Sequence, residues 1–241
     1  MNPDVPFYSD ILLFLVIVII IAFVFYSLKF ALHSMNAPAG KIKKYYIVTT
    51  VIIAGWLFTS AMIAFNRTLS DFTSTPPKLM LVVLPPVLAI SYLSSSTRVN
   101  SLIQEIPSSW LVYIQSFRIL VEIFLWILFT KNIIPVQMTF EGLNYDILTG
   151  LSAPLVAYYA LSQNKWPRIT AVLWNLAGLL LVTNIFLVAF LSTPGPLRQF
   201  FNEPPNTLVS YFPYVWLPAF IVPFAYLMHI LSIKQIVKFN K

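Results

Sequence analysis

The chain predicts an all-α fold, a polytopic transmembrane helix bundle, on three observations. Hydrophobic residues make up 59% of its 241 positions and charged residues 10%, more apolar surface than a water-soluble domain of this size hides. The apolar residues gather into runs near the roughly 20 residues that cross a hydrocarbon core about 30 Å thick. The basic residues are shared unequally between the loops that alternate along those runs.

Seven spans are expected, at approximately 11–33, 45–66, 78–95, 110–130, 147–164, 169–192 and 211–233, making residues 1–241 a single integral membrane domain. The first follows Asp4 and Asp10, lacks a basic flank and exceeds the apolar core of a signal peptide, so it reads as a retained helix. Lys41, Lys43 and Lys44 precede the second and suit anionic headgroups. The third is short and carries Pro85-Pro86 at its middle. Next, Val99, Leu102, Ile103 and Ile106 recur at i, i+3, i+4 and i+7, which predicts a short amphipathic helix over 98–106 lying in the interface. Pro107 ends it, and Trp110 marks headgroup level where the fourth span begins.

Asp146 stands at the N-cap position of the fifth span, where a carboxylate satisfies free N–H groups. Gly150, Ala153, Ala157 and Ala160 then form a small-residue stripe that admits a close neighbour, so this helix reads as central. Asn175 and Asn184 in the sixth span predict hydrogen bonds between helices. Pro213, Pro218 and Pro223 punctuate the last span, and each removes a backbone donor and frees a carbonyl.

The positive-inside rule orients the bundle with its N-terminus outside and its C-terminus cytoplasmic. That choice puts ten basic residues inside (Lys29, Lys41, Lys43, Lys44, Arg98, Lys165, Arg168, Lys234, Lys238, Lys241) and four outside (Arg67, Lys78, Lys131, Arg198). Six of the eight acids, Asp4, Asp10, Asp71, Glu141, Asp146 and Glu203, fall outside. The net charge of +7 is therefore a topology signal, and no nucleic-acid partner is needed to explain it.

Absent residue types narrow the chemistry. With no Cys there are no disulfides, thiolate metal sites, iron–sulfur clusters or cysteine nucleophiles. No Gly-rich phosphate loop, His-Glu-x-x-His pair or Gly-x-Ser-x-Gly elbow occurs. No cofactor and no metal is expected; His33 and His229 read as polar residues near the ends of their helices. An intramembrane enzyme would need a metal or nucleophile constellation, and none is visible.

One polar group remains. Gln115, Arg118 and Glu122 share a helix face inside the fourth span. At 1.5 Å per residue Arg118 lies roughly 12 Å beyond Trp110 and Glu122 roughly 18 Å, so the two bracket the bilayer centre, where a charge costs about 2.5–3.5 kcal/mol even on insertion scales. Two readings stand: an Arg118–Glu122 pair that neutralises itself and locks the helix, or a wet site in which Arg118 binds an anion or Glu122 carries a proton. Glu141, Asn144 and Asp146 are candidates for an outward vestibule above it.

The run Ile106-Pro107, Trp110-Leu111, Gln115 and Arg118, followed by Ile134-Pro135 and by Asp146-Ile-Leu-Thr-Gly-Leu-Ser-Ala-Pro154, resembles the core of an uncharacterised bacterial family of multi-pass inner-membrane proteins. Tyr145 stands where that family usually has Gly, and Thr139–Asn144 replaces a small-residue stretch. The resemblance implies a bacterial inner-membrane setting and no particular chemistry.

Two classes of function follow. One is a small carrier for an anionic solute or a proton, using Arg118 and Glu122 with Gln115 assisting. The other is a non-catalytic scaffold or sensor subunit whose 98–106 helix meets a membrane-protein partner or lipid, the charges serving as structural glue.

Overall fold

The computed structural model describes residues 5–239, so Asp4 and Lys241 of the charge pattern lie outside the described residues. All regular structure among them is helical: α1 Phe7–Ser34, α2 Ala39–Phe65, α3 Met80–Ser95, α4 Thr97–Glu105, α5 Ser108–Thr130, α6 Ile147–Ser162, α7 Arg168–Leu191 and α8 Leu217–Lys238, with short 3-10 turns between.

Five of these, α1, α2, α5, α7 and α8, are long and apolar enough to cross a membrane. The chain bends by 69° between α3 and α4, and that pair makes a sixth crossing if counted as one broken span. Pro85 and Pro86 lie within α3 without breaking it; the bend falls at Ser96 instead. The fifth expected span is the exception. α6 holds 16 residues, about 24 Å of helix, too few to cover a 30 Å core alone.

The amphipathic helix forms as α4, with Ile103 and Ile106 buried. The last expected span starts six residues late. Residues 211–215 are turns around Pro213, and the π-wide start of the helix falls at Leu217, where Pro218 fits a first turn that needs no N–H donor. Its beginning is π-wide over Leu217–Ile221, and Pro223 cannot donate back to the carbonyl of Ala219. Trp56 on α2 supplies the missing partner, its indole N–H reaching that carbonyl at 2.8 Å. Trp216 returns the favour, donating to the carbonyl of Leu57 at 3.1 Å.

Side-chain contacts define two ends of the bundle. At one, Trp110 stacks on Tyr26 with 5.1 Å between ring centres, Lys234 donates to the carbonyl of Ser94, and Gln235 donates to the carbonyls of Ile103 and Ile106. The Lys234 and Gln235 bonds hold α8 against the end of α3 and against α4. At the other, the Tyr214 hydroxyl donates to Asp10 at 2.6 Å, and Phe65 stacks on Phe212. Between them the main core joins α1, α5, α7 and α8 through Val16, Ile20, Phe124, Leu128, Val182 and Phe224.

Candidate functional site

The small-residue stripe is where α6 meets α5. Gly150, Ala153, Ala157 and Ala160 are all buried, and a Cβ on Gly150 would sit 2.9 Å from the Ile119 side chain and 3.3 Å from Cβ of Arg118. The close approach brings the first residues of α6 against the middle of α5, level with the charges.

The stretch 133–146, which joins α5 to α6, is folded as a plug. Ile134, Met138, Thr139 and Asn144 are buried in it, unlike the residues of an ordinary surface connection. Its backbone is satisfied locally, with Gly142 and Asn144 donating to the carbonyl of Thr139 at 2.9 and 3.2 Å and Leu143 to that of Gln137 at 3.2 Å. Gly142 is needed for closeness: a Cβ there would lie 2.4 Å from the Val136 carbonyl oxygen. Gln137 pins the plug, donating to Ser192 at 2.9 Å and accepting from Asn202 at 2.7 Å, while Asn184 donates to the Leu143 carbonyl at 2.6 Å. Asn184 thus binds the plug and not a neighbouring helix, correcting its expected role.

Arg118, Glu122 and Gln115 are buried to 2%, 1% and 0% exposure, so the stretch places its polar face inward as its pattern requires. The expected Arg118–Glu122 ion pair is not formed among the described residues. Arg118 Nη1 lies 3.0 Å from Asp146 Oδ1, and Glu122 accepts from Asn144 Nδ2 at 2.7 Å on both carboxylate oxygens. Arg followed by Glu at i,i+4 is the weaker helical order, and inside a packed bundle the tertiary partners decide. Asp146 does occupy the N-cap position, yet its side chain makes no capping bond; it is spent on Arg118. Asn144 Oδ1 accepts from the Asp146 N–H at 3.1 Å, so one Asn side chain positions both carboxyl groups.

The vestibule set therefore divides. Asn144 and Asp146 belong to the buried site, whereas Glu141 is exposed and accepts from the Trp126 indole at 2.5 Å.

His229 was expected near a helix end and is fully buried at the site. Its Nε2 lies 3.3 Å from Arg118 Nη1 and its Nδ1 2.8 Å from Asn175 Oδ1. Asn175 spends its amide hydrogens on the Ala171 carbonyl at 2.7 Å and the Ser232 hydroxyl at 3.0 Å, leaving Oδ1 as acceptor. The imidazole must then carry its hydrogen on Nδ1 and accept from the donor-only guanidinium through Nε2, which is the neutral Nδ1–H tautomer. Gly178 makes room for the ring, since a Cβ there would lie 2.3 Å from His229 Cε1. The expected helix–helix role of Asn175 is realised in this contact.

A polar chain thus runs from Ser232 through Asn175, His229 and Arg118 to Asp146, with Glu122 and Asn144 beside it. It links α5, α7, α8 and the plug, and it is incomplete. Arg118 Nε and Nη2, Asp146 Oδ1, Gln115 Oε1 and Thr149 Oγ1 are buried with no hydrogen-bond partner, the Arg118–Asp146 contact being ionic only, while Gln115 Nε2 donates to the Ala225 carbonyl at 3.1 Å. Nε and Nη2 together form the side-on fork of a guanidinium, two parallel N–H donors matched to a carboxylate, phosphate or pair of waters.

Reading the sequence alone missed His229, Gln137 and the Gly178 pocket. A signal for the first existed: Asn175 and Gly178 lie at i,i+3, as do His229 and Ser232, so each helix offers a polar or open face. Pairing the two faces requires the fold.

No curated protein and no solved structure is matched by this chain. A family model does match, over residues 76–237, a range holding the plug, Arg118, Glu122 and His229 and leaving out α1 and α2. Covering well over half of the sequence, it establishes that the chain belongs to the family described as a domain of unknown function (DUF8737).

Proposed function

We propose that this is a seven-span protein of a bacterial inner membrane, N-terminus outside, which carries a small anion together with a proton through the site around Arg118. The observation behind it is the unpaired side-on fork of a guanidinium that is 2% exposed. A purely structural arginine at this depth would spend those donors on the protein, because each unmet buried polar group costs about 1–3 kcal/mol. Charge balance supplies the coupling. One cation already faces two carboxyl groups, Asp146 in contact and Glu122 a helical turn away. An anion seated on the fork adds a further negative charge, and a proton taken up by one carboxyl offsets it. The plug, held by Asn144, Gln137 and Asn184, is the element whose displacement opens the site from the side bearing the 131–146 connection.

The seven crossings take α3, with α4 turned into the interface at its end, as one span and α6 with its plug as another; the excess of basic residues on one set of loops supports the orientation. A second reading rests on the same contacts: four segments joined by one network is what a scaffold or sensor subunit needs. Proteoliposomes loaded with a pH-sensitive dye separate the two. Gradients of phosphate, sulfate or succinate should acidify the lumen of vesicles holding the protein, and Arg118→Met or Glu122→Gln should abolish it. Flux no greater than in protein-free vesicles, with Arg118 closed to solvent, supports the scaffold.

A further inference from the structure

A groove of about 490 Å³ opens along the flank of the bundle between α1, α2, α3, α4 and α8, and none of the polar-site residues lines it. Small and ring-closed side chains leave it vacant: Pro86 and Ala89 on α3 and Ala219 and Pro223 on α8 face Ile53 and Phe23 across the gap. Ser27 and Thr49 contribute the hydroxyls among its lining residues, and the rest are aliphatic, aromatic, proline and methionine side chains. The apolar face of α4, through Val99 and Leu102, forms its floor. That explains the bend after α3: turning at Ser96 lays the amphipathic helix across the end of the groove.

The charges at the α3 end of that floor are basic. Arg98 is exposed and directly precedes Val99. Lys234 is anchored on the carbonyl of Ser94, next to the lining residue Leu93, and keeps two further N–H donors. Lys44 stands exposed on α2, five residues before the lining residue Thr49. The acid of this helix, Glu105, is exposed at the far end of α4. An apolar slot of this size, capped by an amphipathic helix and bordered by cations, is complementary to a molecule with a long hydrocarbon chain and an anionic head.

We propose that the groove is a binding site for an anionic phospholipid, with one acyl chain lying along α3 between α2 and α8 and the phosphate held by Arg98 and Lys234. The lipid would fix α4 against α3 and α8, so the site is a structural partner for the bundle and is independent of the Arg118 network.

Native mass spectrometry of the full chain in detergent tests this with dioleoyl phosphatidylglycerol and dioleoyl phosphatidylcholine added in equal amounts. Phosphatidylglycerol should be retained preferentially, and Arg98→Gln or Lys234→Gln should each lower that preference about fivefold, the equivalent of one basic residue near an anionic surface. Ala89→Trp and, separately, Ile53→Trp fill the slot from opposite walls and should remove the retained lipid while thermal unfolding shows the bundle still folded. Equal retention of the two lipids, retention that survives both tryptophans, or displacement of the phospholipid by an uncharged isoprenoid quinone overturns the proposal.

Discussion

Arg118 on α5 and Asp146 at the start of α6 face each other at 3.0 Å in the closed interior, and neither has another ion-pair partner among the described residues. Removing one member leaves the other charge buried and uncompensated, which destabilises by about 3–5 kcal/mol, whereas replacing both with apolar groups is often neutral. Arg118→Met and Asp146→Leu should each lower the unfolding temperature in detergent strongly, and the double variant should recover most of the loss. The same cycle with Glu122→Leu in place of the Asp146 change should recover far less. Equal recovery in both cycles would show that the i,i+4 partner, and not Asp146, holds the guanidinium.

The His229 ring depends on an absent methyl group. Gly178→Ala places a Cβ 2.3 Å from Cε1 and 2.5 Å from Nε2, so the ring must shift away from Arg118 or the helices must part. Overpacking of this kind costs about 1–3 kcal/mol. Adding His229→Ala should relieve the clash, making the double variant no less stable than His229→Ala alone. Nitrogen-15 spectra of labelled His in the wild-type protein should show hydrogen on Nδ1 of His229 and a bare Nε2.

How far the sequence carried this picture depends on the contrast each residue makes with its neighbours. Gln115, Arg118 and Glu122 stood out because the apolar run around them gives a charge no ordinary place, and the helix period put them on one face. The same logic located the α4 amphipathic helix and the α6 stripe. Partnership was not legible. Asp146 was visible as a residue before a helix, where local rules favour capping, but its choice of Arg118 is made by the close packing of α6 on α5. His229 looked like an end residue because the last helix was read as ending at 233, whereas it runs on to Lys238 and carries the imidazole inward. The 133–146 stretch reads in sequence as an outward polar mouth; its burial rests on contacts with Asn184, Ser192 and Asn202, which only the fold reveals.

Trp56 and Pro223 should behave as a coupled pair. Trp56→Phe removes the donor to the Ala219 carbonyl that Pro223 leaves open, a loss of about 1–3 kcal/mol for an unmet buried acceptor. In a Pro223→Ala background the helix can supply its own N–H to that carbonyl, so the cost of Trp56→Phe should fall there. Thermal unfolding of the four proteins measures the coupling, and additive effects would show that the indole does not substitute for the missing backbone bond.

The connection between α2 and α3 supplies a pH test outside the spans. Asp71 accepts from the Thr73 N–H and hydroxyl at 3.1 and 2.8 Å and pairs with Lys78 at 2.7 Å. Hydrogen bonds from Lys78 and Thr73 lower its carboxyl from 3.8 to about 2. A carboxylate depressed in the folded state orders its loop above its ordinary titration range and releases it as the pH falls through the lowered value. Protection of the Thr73 amide against hydrogen exchange, corrected for the intrinsic pH dependence, should hold at pH 5 and above and decline between about pH 4 and 2. Because both partners are solvent-exposed, raising the salt concentration should weaken the ion pair, and Lys78→Met should move the decline to higher pH. A decline that keeps its position in Lys78→Met would mean that the Thr73 contacts alone hold the carboxylate, since these persist in the variant.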